Sequence, residues 1–445
     1  MNAIRNPFTY RMPVIKLAVK ELQSAKFYAI LLVLVALAGI FNLSPVVSSL
    51  MKNVVIKNIG EISTSMYARS GSARDIQAAV DWVVANGSIG NVYIPQGTFN
   101  LVEPGEPWVT VNIPAGVNLF GAPTERDANG QVVEWRTVLV MPYEVGGTWG
   151  NVPRWFTITG SGDPNKSTRF SDIKLVGYRD FDPNSTSINQ AIQLREVVNF
   201  RIDHCYFRDT VAGISVGGSP NSASCGVIDH CKLVNTRARV LPYVYDCDVG
   251  YGVCIVRPGT TFWEDDVNKV LGQYTDHTVF IEDCYFSKWR HCVSANDGTH
   301  YVWRHNIVEN DVGYGSIDAH GTYNYVGTRA IEVYNNQFIN AVGTEQGMPE
   351  DVIWLRGGAA VIFNNMVQGY QHRFVGMIRE GDVEKCWPHD VWIWNNTLVD
   401  GIPIVTVFED SGKGEPVEGE DYFLYAKSDY TPYPYPHPLT LEAKS

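Results

Sequence analysis

Between residues 200 and 400 apolar residues alternate with polar ones, and inside that alternation one six-residue pattern returns seven times. It reads apolar, variable, polar, Cys or Asn, variable, apolar. The copies lie at 202–207 (IDHCYF), 228–233 (IDHCKL), 281–286 (IEDCYF), 303–308 (WRHNIV), 333–338 (VYNNQF), 362–367 (IFNNMV) and 393–398 (IWNNTL). Period two with β-branched and aromatic residues predicts strand. The fourth-position residues Cys205, Cys231, Cys284, Asn306, Asn336, Asn365 and Asn396 are spaced by 26, 53, 22, 30, 29 and 31 residues, which predicts a solenoid. One strand per coil, each stacked about 4.8 Å from the last, gives an all-β chain. The expected fold is a right-handed single-stranded parallel β-helix over 91–426. The spacing of 53 fits two coils, or one coil carrying an insertion around 246–268.

The positions of the repeat differ in their chemistry. Asn at the fourth position can stack in register at a turn and pass amide hydrogen bonds between coils, while Cys fills the same slot as a small hydrophobe. The third position holds His204, His230, Asp283, His305, Asn335, Asn364 and Asn395. Histidines that recur with the coil read as turn scaffolding rather than as catalysts. The second position, Asp203, Asp229, Glu282, Arg304, Tyr334, Phe363 and Trp394, has the opposite parity to the inward Ile and Val. This row faces outward and has two readings. It could hold a cation such as Ca²⁺ and stack sugars on Tyr334 and Trp394, or it is a solvated face with a Glu282 to Arg304 pair.

The first 50 residues are of another kind. Arg5, Arg11, Lys16, Lys20 and Lys26 precede an uncharged run at 27–50, long enough to span a bilayer. A cleaved signal peptide is the rival reading. The basic segment 1–26 predicts a cytoplasmic N-terminus and a single-pass anchor, with the β-helix outside the cell. Net charge is −12 overall. An acidic surface of this kind excludes nucleic acid as a partner. Among the 8 cysteines, Cys247 and Cys254 are the best placed for a disulfide, set against free buried thiols.

Within the linker and cap region 51–90, Ser72 can cap a helix with Ile76, Ala79, Val80 and Val83 on one face and Gly87 as its stop. Such a helix closes the open end of a solenoid. The Tyr- and Pro-rich stretch 427–445 predicts an extended tail laid along the β-helix, with an aromatic sugar-binding strip as the alternative. The cap helix, VYIPQGTF at 92–99 and VNLFGA at 117–122 together resemble the start of proteins of the pectate lyase superfamily, the pectin-lyase-like β-helices. With the repeats, the resemblance covers roughly 62–426 and implies their fold. That superfamily includes lyases, hydrolases, epimerases and binding proteins, so the architecture does not choose a chemistry.

The densest polar cluster lies at 290–306 and 309–321, on two consecutive coils. With scaffold positions removed it leaves Arg290, His291, Asp297, His300, Arg304, Asp318 and His320. A polysaccharide lyase must neutralise a uronate carboxylate, here with Arg304 and Asp297 or Asp318 through Ca²⁺, and needs a base, here His300 or His320. A glycoside hydrolase needs two carboxylates, for which Asp297 and Asp318 are the pair. Arg290, His291, Tyr334 and Trp394 would contact sugar. No tight His-x-His or HExxH spacing supports zinc. The paired Asp and Gly-His-Gly motifs of polygalacturonases are not found, and VIDHC and RIDHC are explained as repeats. The expectation is therefore a membrane-anchored β-helix that binds polysaccharide. If it is an enzyme, residues 297–320 converge in one groove, whereas in an adhesin or structural spike they scatter or pair into the scaffold.

Overall fold

The computed structural model describes residues 64–441, except 129–130, 144, 146–151, 179–188, 219–221, 223, 237–249, 257–269, 274–276, 312–314, 322–325 and 341–350. Among the described residues the strands form three parallel sheets of 12, 10 and 10 strands, with one strand of each per coil, and a small antiparallel pair, Glu125–Arg126 with Val132–Glu134. The expectation of one strand per coil is corrected here. The six-residue repeat is a corner, not a strand. In 202–207 the first-sheet strand Val198–Asp203 ends, His204 and Cys205 make the bend, and the second-sheet strand Tyr206–Arg208 begins. The mark of the bend in sequence is the three-residue step between inward Ile202 and Cys205, where a strand would step by two.

That extra residue has one backbone conformation throughout. His204, His230, Asp283, His305, Asn335, Asn364 and Asn395 all have φ between 52° and 57°. Among non-glycine residues the left-handed region favours Asn, Asp and His, so backbone geometry accounts for the recurring histidines. The fourth-position column also behaves as its chemistry predicts. Asn306, Asn336 and Asn365 N–H groups donate to Oδ1 of Asn336, Asn365 and Asn396 at 2.9, 3.1 and 3.0 Å. The Cys284 N–H joins the ladder through Asn306 Oδ1 at 2.9 Å. Cys205, Cys231 and Cys284 continue the column as buried thiols. Cys247 lies outside the described residues.

Two further details concern the coil count. Strand Cys225–Asp229 pairs directly with Thr278–Glu282, so the 53-residue interval is a single enlarged coil. An earlier corner, FSDIKL at 170–175, escaped the pattern because Ile173 stands where Cys or Asn was required; Asp172 there has φ 62°. At the N-terminal end the helix Ala73–Asn86 buries Ala73, Ile76, Ala79, Val80 and Val83, with the Ser72 hydroxyl capping the Asp75 N–H at 3.2 Å. A strand, Thr64–Tyr67, precedes it and pairs with Gly90–Tyr93. Among the described residues no helix is long and apolar enough to cross a membrane. The span expected at 27–50 lies outside them.

The main core fills the interior of the coil with Ile, Val, Leu and Phe from all three sheets. A second apolar cluster, including Phe280, Val302, Tyr334 and Phe363, lies on the outer side of the first sheet against Tyr430, Tyr433 and Leu439 of the C-terminal tail. The tail is thus laid along the β-helix, as its proline content predicts. Its polar groups are matched as well: Tyr430 Oη donates to Glu332 Oε2 at 2.6 Å and the His437 N–H to Glu282 Oε1 at 2.8 Å.

Candidate functional site

The expected outward row is in strict register across the first sheet, running Ser171, Asp203, Asp229, Glu282, Arg304, Tyr334, Phe363, Trp394. It is not a solvated face. Arg304 and Glu282 are both fully enclosed and paired at 2.6 Å. The same guanidinium donates to Tyr334 Oη at 3.1 Å, to the Tyr433 carbonyl at 2.7 Å and to the Pro434 carbonyl at 3.0 Å. His300, also fully buried, lies between Thr278 Oγ1 and Glu332 Oε1, each at 3.0 Å. Trp394 stacks on Phe363 with centroids 4.4 Å apart. The structure therefore separates His300, Arg304, Tyr334 and Trp394 from the other expected site residues and closes them beneath the tail or against it.

The carboxylates of this row do not fit a calcium site. Asp203, His204 and Asp229 offer ligand atoms within 4.8 Å of one another. Yet Arg169 holds Asp203 through Nε and Nη2 at 2.7 and 2.6 Å, and Arg201 holds Asp229 at 2.9 and 2.8 Å. The arginines already supply the positive charge that a cation would bring.

The third sheet presents a different outer face. Its register aligns Asn112, Thr157, Gln193, Ser215, Cys254, Ser294 and Asp318, one per strand, and the eighth place is Trp354. Beside this row of mostly short polar side chains stand longer ones: Gln190, Tyr251 and His291 to one side, Arg195, His320 and Arg356 to the other. The shorter row thus runs between two taller ones, with Ser215, Ser294 and Asp318 buried in it. It ends at the half-buried Trp354, whose indole lies over Gly376 at a distance that leaves no room for a Cβ there.

His291, Asp318 and His320 come together at this end, with two partners that the sequence did not single out. Arg356 Nη2 donates to both Asp318 oxygens at 2.9 Å, and its Nη1 reaches Glu380 Oε1 at 2.7 Å. Asp318 also accepts from Ser294 Oγ at 3.1 Å, while Glu380 Oε2 accepts the Gly321 N–H at 2.9 Å. His320 Nε2 sits 3.0 Å from Asp318 Oδ2 and against Arg356 Nη2, and its Nδ1 is 3.6 Å from Glu380. Asp318 is fully enclosed, whereas the His320 side chain is 31% exposed. Arg356 and Glu380 belong to later coils, 38 and 62 residues after Asp318, and so lie outside the dense polar stretch.

Charge is distributed unevenly here. Burial opposes ionisation of Asp318, but Arg356, His320 and His291 outweigh it and hold the carboxyl well below its usual range. Glu380 is likewise lowered against its burial, by His320 and Arg356. His320 is raised: burial lowers it, but the Asp318 charge prevails. His291 is different, since burial pushes it down to about 4 and its Nδ1 faces the Gly315 carbonyl at 2.6 Å. Arg290 lies over the Tyr251 ring, which stacks on His291. Asp297 stays in the turn after strand His291–Ala295, 8% exposed with φ 54°.

A pH effect follows from a second lowered histidine. Burial among tail residues pushes His437 down to about 4, and its Nδ1 accepts the Leu439 N–H at 3.2 Å. Its pKa when folded is below the unfolded value of about 6.5. Its contribution to stability is therefore present above that pH and is lost as pH falls towards 4. Urea midpoints of the parent and His437→Gln chains are expected to converge between pH 7 and 4.5, because the parent alone loses this contribution. Parallel curves would reject the assignment.

Coil-stacked parallel sheets of this kind define the chain as a parallel β-helix. No family model and no curated protein matches it. Among solved structures it is similar to a mutant tailspike protein of E. coli bacteriophage HK620 in complex with a pentasaccharide, at 18% identity and a TM-score of 0.42. That match covers 73% of this chain and 53% of the tailspike, so this chain spans about half the length of the tailspike chain. DFA-IIIase from Arthrobacter chlorophenolicus A6 matches at 11% identity and a TM-score of 0.43, over 77% of this chain and 83% of that one. Geobacillus virus E2 ORF18 matches at 13% and 0.38, over 83% and 65%.

Proposed function

We propose that this chain binds a polysaccharide lengthwise along the outer face of the third sheet. The observation that carries the reading is the in-register polar row from Asn112 to Asp318 that ends on Trp354. The accessible members of the row, Asn112, Thr157 and Gln193, offer hydrogen bonds to successive sugars, and the half-buried indole at its end offers an apolar face. In keeping with the N-terminal charge pattern, the β-helix is held outside the cell by a span at 27–50, wound with the right-handed sense usual for parallel crossovers. Binding to a panel of neutral and acidic polysaccharides in affinity gels is the test. Trp354→Ala is expected to weaken retention about tenfold, in line with loss of one aromatic contact. Unchanged retention would remove this face from consideration.

A second reading, cleavage, is favoured by one observation: His320 is the most exposed member of the cluster, its side chain 31% exposed against 15% for Arg356, with Asp318 and Glu380 enclosed behind it. Both carboxyls are held ionised, so neither can donate the proton that hydrolysis requires. β-Elimination suits the geometry better. Neutral His320 takes the proton beside a uronate carboxylate, the electron pair forms a C=C bond, and the glycosidic C–O bond at the next carbon breaks. The leaving sugar oxygen then takes up a proton.

A further inference from the structure

We propose that the N-terminal coils carry a second, separate site, on the outer face of the first sheet, for a short uncharged oligosaccharide. A cleft of about 590 Å³ opens there, within the range of ligand sites. It begins where the tail stops: Leu439 forms one wall, and its carbonyl accepts from Arg201 Nη1 at 3.2 Å. Under the tail the same sheet face is filled by this chain's own residues, and in the cleft it is open.

Two rows in register form the floor. One is aromatic: Tyr93 and Phe120 stack with centroids 5.6 Å apart, and Tyr67 continues the stack beyond the cleft at 5.1 Å from Tyr93. The other carries planar polar groups, Asn91, Asn118, Arg169 and Arg201, one per coil. Asn118 Nδ2 donates to Asn91 Oδ1 at 2.9 Å, and Arg169 lies over the Phe120 ring at 5.6 Å. An apolar strip beside a file of amides and guanidiniums matches a sugar, which has C–H faces and hydroxyl edges.

The electrostatics choose between acidic and neutral glycans. The cleft is lined by Arg126, Arg169 and Arg201, and each has a carboxylate: Asp172 at 3.2 Å, Asp203 at 2.6 Å and Asp229 at 2.8 Å. The three pairs leave no net charge to attract a uronate, and a carboxylate ligand would have to compete with enclosed aspartates for the same donors. Hydroxyls make no such demand. The length of the ligand is limited because the tail at Leu439 blocks the groove in the direction of the later coils.

The test uses the full chain in mild detergent and calorimetric titration with cellotriose, maltotriose, chitotriose and trigalacturonate. At least one uncharged trisaccharide is expected to bind, and Ser167→Trp, which fills the cleft from an exposed wall residue, is expected to weaken it at least tenfold with an unchanged melting temperature. Pro123→Trp, at another exposed wall position, serves if the first variant does not fold. Binding should persist in Trp354→Ala and His320→Ala, which report on the third sheet, so each site can fail without the other. The proposal is overturned if no uncharged trisaccharide binds, if only trigalacturonate binds, or if binding survives cleft filling.

Discussion

Replacing Arg304 with alanine is expected to lower the unfolding free energy by about 3–5 kcal/mol, the usual consequence of removing one member of an enclosed ion pair. Glu282 would be left in a site from which water is excluded, and burial already raises its pKa despite the arginine. Two tail carbonyls would lose their donor at the same time, so residues 430–441 should become sensitive to protease. Denaturant midpoints and timed proteolysis measure both effects. Arg304→Met combined with Glu282→Met should recover most of the loss, because no unpaired charge remains. Glycan retention per folded molecule should not change. If Arg304 instead held an anionic sugar, as its place in the dense polar cluster led one to expect, retention would fall while stability stayed level.

His320→Ala is expected to reduce formation of unsaturated uronate ends by about 10²- to 10⁴-fold, the range for loss of a positioned proton-transfer group, while polysaccharide binding remains. The pH profile adds a sign. A base must be neutral, and the Asp318 charge raises the pKa of His320 despite burial, so the rate should fall as pH drops through a value above about 6.5. Asp318→Asn removes the main raising influence and should move that limb to lower pH. It also removes a partner of Arg356, so the shift must be read on each variant's own maximum rather than on absolute rates. The same linkage acts on stability: His320 favours the folded chain below its unfolded pKa and ceases to do so as pH rises through the folded one. Absence of unsaturated products from every polyuronate, with retention on the third sheet preserved, would leave binding alone.

Of the nine residues expected to form a site, His291, Asp318 and His320 meet in space, and Arg290 lies close by through Tyr251. They were legible because consecutive coils superpose residues about 22 to 31 positions apart. His300 and Arg304 satisfy the same spacing, yet they point from a different sheet. The corner at each repeat turns the chain from one sheet to the next, and a period read as one strand per coil hides that change of direction. Trp354 and Arg356 stand one coil beyond the dense stretch and Glu380 two, and none of them carries a local mark.

The amino-acid sequence determined the coil, its corners and its internal ladder, since these rest on interactions that repeat locally. A left-handed residue that must be Asn, Asp or His, an amide or thiol beside it, and an apolar residue two places on are read from six positions at a time. Tertiary structure decided which outward rows remain open. Arg304 is closed by the carbonyl of Tyr433, 129 residues later, and that contact depends on where a proline-rich tail settles along the finished coil. No period in the chain encodes it, so the same pattern of outward charges yields an enclosed ion pair on the first sheet and an accessible histidine on the third.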